Sequence, residues 1–449
     1  MPTVKMPSSW CSSKLADADW AEAEQWMRAQ LPEGRLWVAF SGGLDSTVLL
    51  HWLAHSPLRS RLHAIHVHHG LSANADDWLA ICQRQAAAWQ VPFVGARVVV
   101  QAGGDGLEGA ARQARYAAFK QQLKAADGLL LGHHCDDQLE TFAQRWLRGT
   151  GVRGLGAMHR SHQQHGFKLL RPLLRLSHQQ LHDYAQQHQL TWIEDESNID
   201  TQYSRNWWRH HGLPPIWQRF AKAKPAALRT IERLQQDADA LEQLLQQQLL
   251  PLLSVSPWPG TVNERLDLTQ LWQQPPALHS YLLRQWWQQQ GLALPSQARL
   301  EAWLAMLQAS ADKQPSGTLG DYTWARYQNY LYLLPPPATD LAPLTALPNR
   351  WGEGELCLQG DMPAGACVVP AQALQANHFK PQGRPSKRLK LWWQSWGIPP
   401  WLRAQWPVLV DAQQQPLAFA RASEQTCRSM ETDHSLRLYW RRLGCDKSG

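Results

Sequence analysis

Residues 35–140 alternate short apolar runs with segments of helical period, and few folds accept that pattern. "LWVAF" precedes a helix predicted from about Asp45 to His55, and "LHAIHVHH" precedes one from about Ala75 to Trp89. "PFVGARVVV" precedes one from Leu107 to Lys124, and "GLLLG" leads into one from Asp136 to Leu147. Apolar strands separated by helices call for an α/β fold, a parallel sheet covered on both faces. Ligands of such sheets bind beyond the carboxyl ends of the strands. The chemistry is therefore expected in the stretches 41–46, 66–72 and 132–140.

The first of these is the most specific. In "VAFSGGLDSTVLL" (38–50) an apolar run stops at Ser41-Gly42-Gly43 and a helical pattern begins at Asp45. Two glycines let the backbone bend so that successive N–H groups face one anion, and the helix start adds its positive end. Ser41, Ser46 and Thr47 add hydroxyl donors. The Lys-Ser/Thr pair of the familiar nucleoside-triphosphate loop is absent. A metal can neutralise a pyrophosphate held there, and Asp45 is a candidate to place Mg²⁺. The same residues also read as an ordinary helix N-cap.

The rest of the 449 residues divides by composition. We read 1–32 as an N-terminal extension, 33–215 as the catalytic α/β domain ending at the "GLPP" break, and 216–334 as a mostly helical domain. A stiff, proline-rich linker is expected over 335–350, then a small α+β domain over 351–449. The net charge of +7 admits a polyanionic partner. Seven scattered cysteines without a Cys-x-x-Cys fit a reducing compartment and disfavour a disulfide framework or zinc site. No run approaches the roughly 18 apolar residues of a membrane span, so a cytoplasmic protein is expected. Core packing is the default role of the 25 tryptophans.

Ser-Gly-Gly-x-Asp-Ser after a first strand resembles the pyrophosphate loop of the N-type ATP pyrophosphatases, which cleave ATP between its α and β phosphates. "HVHHGLSANADDW", "LEGAARQARY", "LGHHCDDQLETFAQRWLRGTGVRGLGAM", "RPLL" and "EDESNIDTQYSRNWWRHHGLP" resemble, in order and spacing, the tRNA(Ile)-lysidine synthetases. "LRQWWQQQGLALPSQARLEAWL", "YTWARYQNYLYLL" and "SKRLKLWWQSWGIPPWLRAQWPVLV" are similar to that family's middle and C-terminal domains. The resemblance implies an ATP-dependent ligase. Such an enzyme adenylates the C2 oxygen of the wobble cytidine in the CAU anticodon of isoleucine tRNA. Free L-lysine then displaces AMP and forms lysidine, which switches codon reading from AUG to AUA and identity from methionine to isoleucine. Association into a homodimer is compatible with it.

The resemblance also implies roles for residues. Ser41, Gly42, Gly43, Leu44, Asp45 and Ser46 would bind ATP, joined by His133 and by Arg112 and Arg115, which share a helix face. Asp136, Asp137 and Glu140 would either hold Mg²⁺ against the phosphates or bind and deprotonate the lysine ammonium. Arg205, beside Asn206 and Arg209, would stabilise charge on the α-phosphate, unless it forms an interdomain salt bridge. Cys135 reads as a small buried residue, and His63, His66, His68 and His69 as strand-end histidines rather than metal ligands. Arg145, Arg148, Arg153 and Arg160 stud a Gly-rich lip suited to tRNA. In the C-terminal domain, read as tRNA-binding, Arg384, Lys387, Arg388, Lys390 and Arg403 interleave with tryptophans.

Two rival readings use the same loop. A tRNA thiolase generally needs paired cysteines, and a glutamine-fed ligase needs an amidotransferase motif; neither appears. A catalytically dead tRNA-binding protein would have no need of the intact glycine turn and acidic group.

Overall fold

The computed structural model describes residues 18–100, 106–164, 166–196, 204–258, 260–308, 314–336, 343–351, 354–374, 378–379, 386–422 and 437–442. The chain divides into two compact units, Met1–Ala240 and Leu241–Gly449.

The first unit runs α1 (Ala18–Gln30), β1 (Leu36–Ala39), α2 (Leu44–Ala54), β2 (Leu62–His68), α3 (Ala75–Ala88), β3 (Phe93–Arg97), α4 (Gly106–Gln122) and β4 (Gly128–Leu130). It continues through α5 (Cys135–Leu147), the single turn α6 (Val152–Leu155), the hairpin β5 (Ser161–Gln164) and β6 (Phe167–Leu170), and α7 (His178–Gln187). The four expected helices thus form within a residue or two of their predicted starts. The strands order as β3-β2-β1-β4-β6-β5, all parallel except β5, which pairs antiparallel with β6. The β5–β6 hairpin has no counterpart in the sequence reading. "SHQQ" is too polar to register as a strand, and it forms because β6 already offers it a partner.

Side chains alternate across this sheet, and each face has its own core. Leu36, Val38, Ala64, Leu130 and Leu170 face a core shared with Leu49 and Leu53 of α2 and Tyr184 of α7. Trp37, Ile65, Leu129 and Leu169 face the other way, onto Phe119 and Leu123. Helix α1 belongs to the first core through Trp20, Ala23 and Met27, so the part of the N-terminal extension that is described is a packed element. Residues 1–17 lie outside the described residues.

After residue 203 come the short α8 (Ser204–Trp207), a π-helical turn over Trp208–Gly212, α9 (Pro214–Arg219) and the long α10 (Ala223–Leu249). The compact division falls inside α10 rather than at the Gly-Leu-Pro-Pro break. Leu213, Leu228 and Ile231 pack with Leu139 and Ala143 of α5, which draws the first half of α10 into the catalytic unit.

The second unit holds β7 (Leu253–Val255), β8 (Glu264–Asp267), α11 (Leu268–Gln273), α12 (Pro276–Gln289), α13 (Gln297–Gln308), β9 (Ser316–Leu319), β10 (Tyr322–Tyr327) and β11 (Tyr330–Leu334). The strands make one sheet, β7-β8-β11-β10-β9, over a core of Trp286, Trp287, Trp303 and Trp324. β12 (Asn349–Trp351), β13 (Gly354–Gln359) and β14 (Cys367–Pro370) follow. Then come β15 (His378–Phe379), β16 (Lys387–Arg388), α14 (Leu389–Ser395), β17 (Pro407–Val410), β18 (Pro416–Phe419), β19 (Arg421–Ala422) and β20 (Arg437–Arg442).

Part of the expected linker is structured: Leu344 exchanges backbone bonds with Val368 at 2.9 and 2.7 Å. Tyr327 and Tyr332 share a core with Trp351, Trp406 and Trp440, so 241–449 packs as one unit. Cys82, Cys135 and Cys367 are free thiols. Cys357 is disulfide-bonded, where the scattered cysteines were expected to fit a reducing compartment. No helix among the described residues is long and apolar enough to cross a membrane.

Candidate active site

The chain leaves β1 and turns at Gly42 with φ of +87°, a conformation that costs an L side chain. Space is closed there as well. A Cβ at Gly42 would lie 2.4 Å from Ile193 Cδ1 and 2.8 Å from Cys82 Sγ. The Gly42 carbonyl accepts from the Ile193 N–H at 2.9 Å and from Thr47 Oγ1 at 3.1 Å. Ser46 Oγ donates to the Gly43 carbonyl at 3.0 Å and lies 3.1 Å from Ser41 Oγ. The carbonyls of the turn are thus taken, while no side chain caps the start of α2 at Gly43. An uncapped helix end behind a glycine turn suits an anion.

Gly132, which the sequence reading passed over, brings the loop after β4 onto this helix end. A Cβ on it would lie 2.9 Å from the Asp45 carbonyl carbon and 3.1 Å from the Ser46 nitrogen. That close approach places α5 beside Asp45. Asp45 Oδ1 is buried with no hydrogen-bond partner, and Oδ2 lies 3.6 Å from Nε2 of His134. Burial raises the pKa of the Asp45 carboxyl; His134 opposes the shift and Asp137 adds to it. An orphaned carboxylate oxygen beside an anion-binding turn fits a hard cation. Among the described residues no group of three or more His, Cys, Asp or Glu could hold a metal. Mg²⁺ at a phosphate site commonly takes one or two carboxylates and completes its shell with phosphate and water.

Next to the expected His133, His134 is the histidine that faces Asp45 and Asp137. It is 2% exposed and caps α5. Its Nδ1 accepts from the Asp136 backbone N–H at 3.2 Å, and its backbone N–H donates to Asp137 Oδ2 at 2.9 Å. With Nδ1 an acceptor, the ring proton of the neutral form sits on Nε2, which lies 3.6 Å from both Asp45 Oδ2 and Asp137 Oδ2. One signal could have found it: a polar residue just before an acidic first turn is an N-cap position. His133 is half-buried and accepts from Arg171 Nε at 3.2 Å. Burial drives its pKa down to about 3, against the pull of Asp137, so it is neutral.

The three acidic residues of α5 part company. Asp136 pairs with Lys224 of α10 and accepts from the His178 N–H at 3.1 Å. Asp137 and Glu140 turn the other way, into a four-membered network with two arginines. Arg205 reaches Asp137 Oδ1 at 2.6 Å and Glu140 Oε2 at 2.8 Å. Arg209 reaches Glu140 Oε1 at 2.7 Å and Asp137 Oδ1 at 3.1 Å. The side chain of Glu140 is 2% exposed. Burial alone would raise the Asp137 carboxyl, but His134 and Arg205 hold it below the usual range. Burial opposes the charge of Arg205 and Arg209 too, and the two carboxylates raise both guanidinium pKa values in spite of it. Asp137 and Glu140, three apart on α5, thus share one face, and Asp136 leaves it. As placed, Asp137 and Glu140 are neutralised by arginine. The ion pair weighed for Arg205 forms within the catalytic unit.

Other expected residues sort themselves similarly. Arg112 lies over the Tyr116 ring at 5.1 Å, and Arg115 Nε is 3.5 Å from His69 Nε2. Arg171, from the RPLL stretch, is 7% exposed and meets no carboxylate among the described residues. It donates to the His159 carbonyl at 2.6 Å, and burial, with Arg112 and Arg145 nearby, lowers its pKa to about 10. His66 Nδ1 bonds the Phe40 carbonyl at 2.9 Å, a structural role. Cys135 is buried, and its thiol is pushed up to about 12, which makes it a poor nucleophile.

The basic lip only partly faces outward. Arg145 donates to the carbonyls of Gly154 (3.0 Å) and Ala157 (2.6 Å). Arg160 is bidentate to Glu22 of α1 at 2.6 and 2.9 Å and stacks on Trp26. These two are internal braces, whereas Arg148 and Arg153 are exposed. In the second unit Lys387, Arg388 and Lys390 are exposed. The tryptophans interleaved with them are core: Trp392 is buried and bonds the Phe379 carbonyl at 3.0 Å. Arg384 and residues 197–203 lie outside the described residues.

Comparisons with known proteins agree with one another along the chain. A family model described as a PP-loop domain matches residues 18–216. A TilS substrate binding domain matches 266–332 and a TilS substrate C-terminal domain matches 374–440. The tRNA(Ile)-lysidine synthase of Serratia proteamaculans (strain 568) is 38% identical, over 91% of this chain and 95% of its own length. That of Photorhabdus laumondii subsp. laumondii is 34% identical over 90% and 94%. The protein of that name from Escherichia coli O157:H7 is 37% identical over 85% and 91%. With identities this high over nearly the whole of both chains, the chain belongs to the tRNA(Ile)-lysidine synthase family.

Proposed function

We propose that the chain is a cytoplasmic ATP-dependent ligase that forms lysidine on the wobble cytidine of the CAU-anticodon isoleucine tRNA. The observation that carries this reading is the uncapped start of α2 behind Gly42 and Gly43, with the partnerless Oδ1 of Asp45 beside it. The C2 oxygen of the cytidine attacks the α-phosphorus of ATP, and pyrophosphate leaves. The amine of lysine, having lost a proton, then attacks C2, and AMP departs with the oxygen.

The residues divide that work by chemistry. The N–H groups at the start of α2, with Ser41 and Ser46, receive the departing pyrophosphate. Asp45 would hold Mg²⁺, which, when bound, neutralises phosphate charge. Arg171 and Arg112 meet no carboxylate among the described residues, and their positive charge suits the phosphates of ATP or of the RNA. Neutral His133 can donate through Nε2. Asp137 and Glu140 are carboxylates already at the site. Exchange of an arginine partner for the lysine ammonium would let them orient the nucleophile.

Incubation with ATP, Mg²⁺, isotopically labelled lysine and a CAU-anticodon isoleucine tRNA tests this, with the digested nucleosides read by mass spectrometry. Lysine-bearing cytidine that disappears when ATP or lysine is omitted is the expected result. AMP release without lysine on the cytidine would refute the nucleophile. Neither product, from folded protein and RNA, would refute the ligase.

A further inference from the structure

Between Glu140 and Asp183 the chain carries seven lysines and arginines and no carboxylate. Four of the arginines are engaged within the fold, Arg175 at its surface. Arg145 bonds the Gly154 and Ala157 carbonyls, Arg160 bonds Glu22, Arg171 bonds His133, and Arg175 bridges Glu22 and Glu232. Arg148, at the C-terminal end of α5, stays exposed. Beside it Trp146 is 61% exposed and Leu147 66%, and Val152 lies open just past the Gly149–Gly151 turn.

This apolar tip is held out from a fixed base. Gln138 exchanges two bonds of 2.7 Å with the Met158 backbone, and Gln235 of α10 donates to the same carbonyl at 2.9 Å. The turn beside it stands in open space, since a Cβ on Gly149 or Gly151 would meet nothing within 4 Å. An indole presented this way, beside an arginine and in a stretch free of acid, matches what an unstacked nucleobase and its phosphate need.

We infer that Trp146 is a stacking platform for an unstacked base of the anticodon loop, flanked by Leu147 and Val152, with Arg148 on a neighbouring phosphate. This rests on the proposed function and adds to it the residues that receive the RNA. Charge favours RNA over a second copy of the chain, because a contact of this lip with itself would face each Arg148 with another basic lip.

The test is fluorescence anisotropy of a labelled CAU anticodon stem–loop with the full chain, over a series of salt concentrations. Trp146→Ala should weaken binding about 5- to 100-fold without changing the salt slope, and Trp146→Phe should stay within about threefold of the unaltered chain. Trp146→Leu, which keeps apolar area without a ring face, should bind as weakly as the alanine variant. Arg148→Ala should lower the salt slope by roughly one. Unchanged affinity of Trp146→Ala, or full affinity of Trp146→Leu, overturns the platform while leaving the ligase reading intact. A dimer of the unaltered chain that Trp146→Ala dissociates also overturns it. No binding by the unaltered chain overturns both.

Discussion

Gly42→Ala is the sharpest perturbation of the pyrophosphate turn, because its cost can be worked from geometry. An alanine would have to hold φ of +87°, which costs roughly 1–2 kcal/mol for an L residue. Its Cβ would also press on Ile193 Cδ1 at 2.4 Å and Cys82 Sγ at 2.8 Å, and overpacking of a filled site costs about 1–3 kcal/mol. The sum is a loss of about 2–5 kcal/mol, read by urea unfolding followed by circular dichroism. The two parts can be separated. Gly42→Ala combined with Ile193→Ala relieves the carbon contact but not the backbone strain, so the pair should show a favourable coupling of about 1–3 kcal/mol. Because a shift of the turn misplaces the α-phosphate, AMP formation should fall about 100-fold in Gly42→Ala. A loss under about 0.5 kcal/mol, or no coupling with Ile193→Ala, would refute the claim that the turn has no room for a side chain.

Four further outcomes follow from the site. Asp45→Ala should abolish AMP formation while leaving tRNA affinity nearly intact; a large affinity loss would mean that Asp45 is structural. His134→Asn keeps an acceptor for the Asp136 N–H but removes the ring nitrogen facing Asp45 and Asp137, so AMP formation should fall while the melting temperature holds within about 4 °C. Asp137, held below its ordinary value of 3.8, contributes stability that is present above that value and lost as pH falls through its folded value. An acid titration should therefore show a loss below about pH 4 that Asp137→Asn removes. Neutralising Lys387, Arg388 and Lys390 together should weaken tRNA binding and reduce its salt slope by up to about three, and an unchanged slope would sink that contact.

The parallel sheet and its four early helices were legible because each strand is a short apolar run and each helix opens with a turn signal. The glycine turn was legible as a turn, though an anion site and an ordinary helix N-cap were equally open to two glycines before an acidic helix start until the longer resemblance decided between them. What the sequence could not convey is which side chains meet. Asp136, Asp137 and Glu140 look like one acidic group, yet one rotation about α5 sends Asp136 to Lys224 and the others to Arg205 and Arg209. Arg145 and Arg160 look like their exposed neighbours until the carbonyls and Glu22 that receive them are placed by the fold. His134 carried only the weak signal of a polar residue before an acidic first turn, and Gly132 carried none, because its role is a close approach between two distant segments.

The pairing of Lys224 with Asp136, the bonds from Gln235 to the lip and the packing of Ile231 against α5 have a practical consequence for anyone who wishes to cut the chain. A fragment ending at the proline break looks like a self-sufficient ATPase, but it would leave Asp136 without its cation and bare the flank of α5. A fragment carried on to Ala240 keeps both. The catalytic half is portable only with the first stretch of the helix that, on paper, belongs to its neighbour.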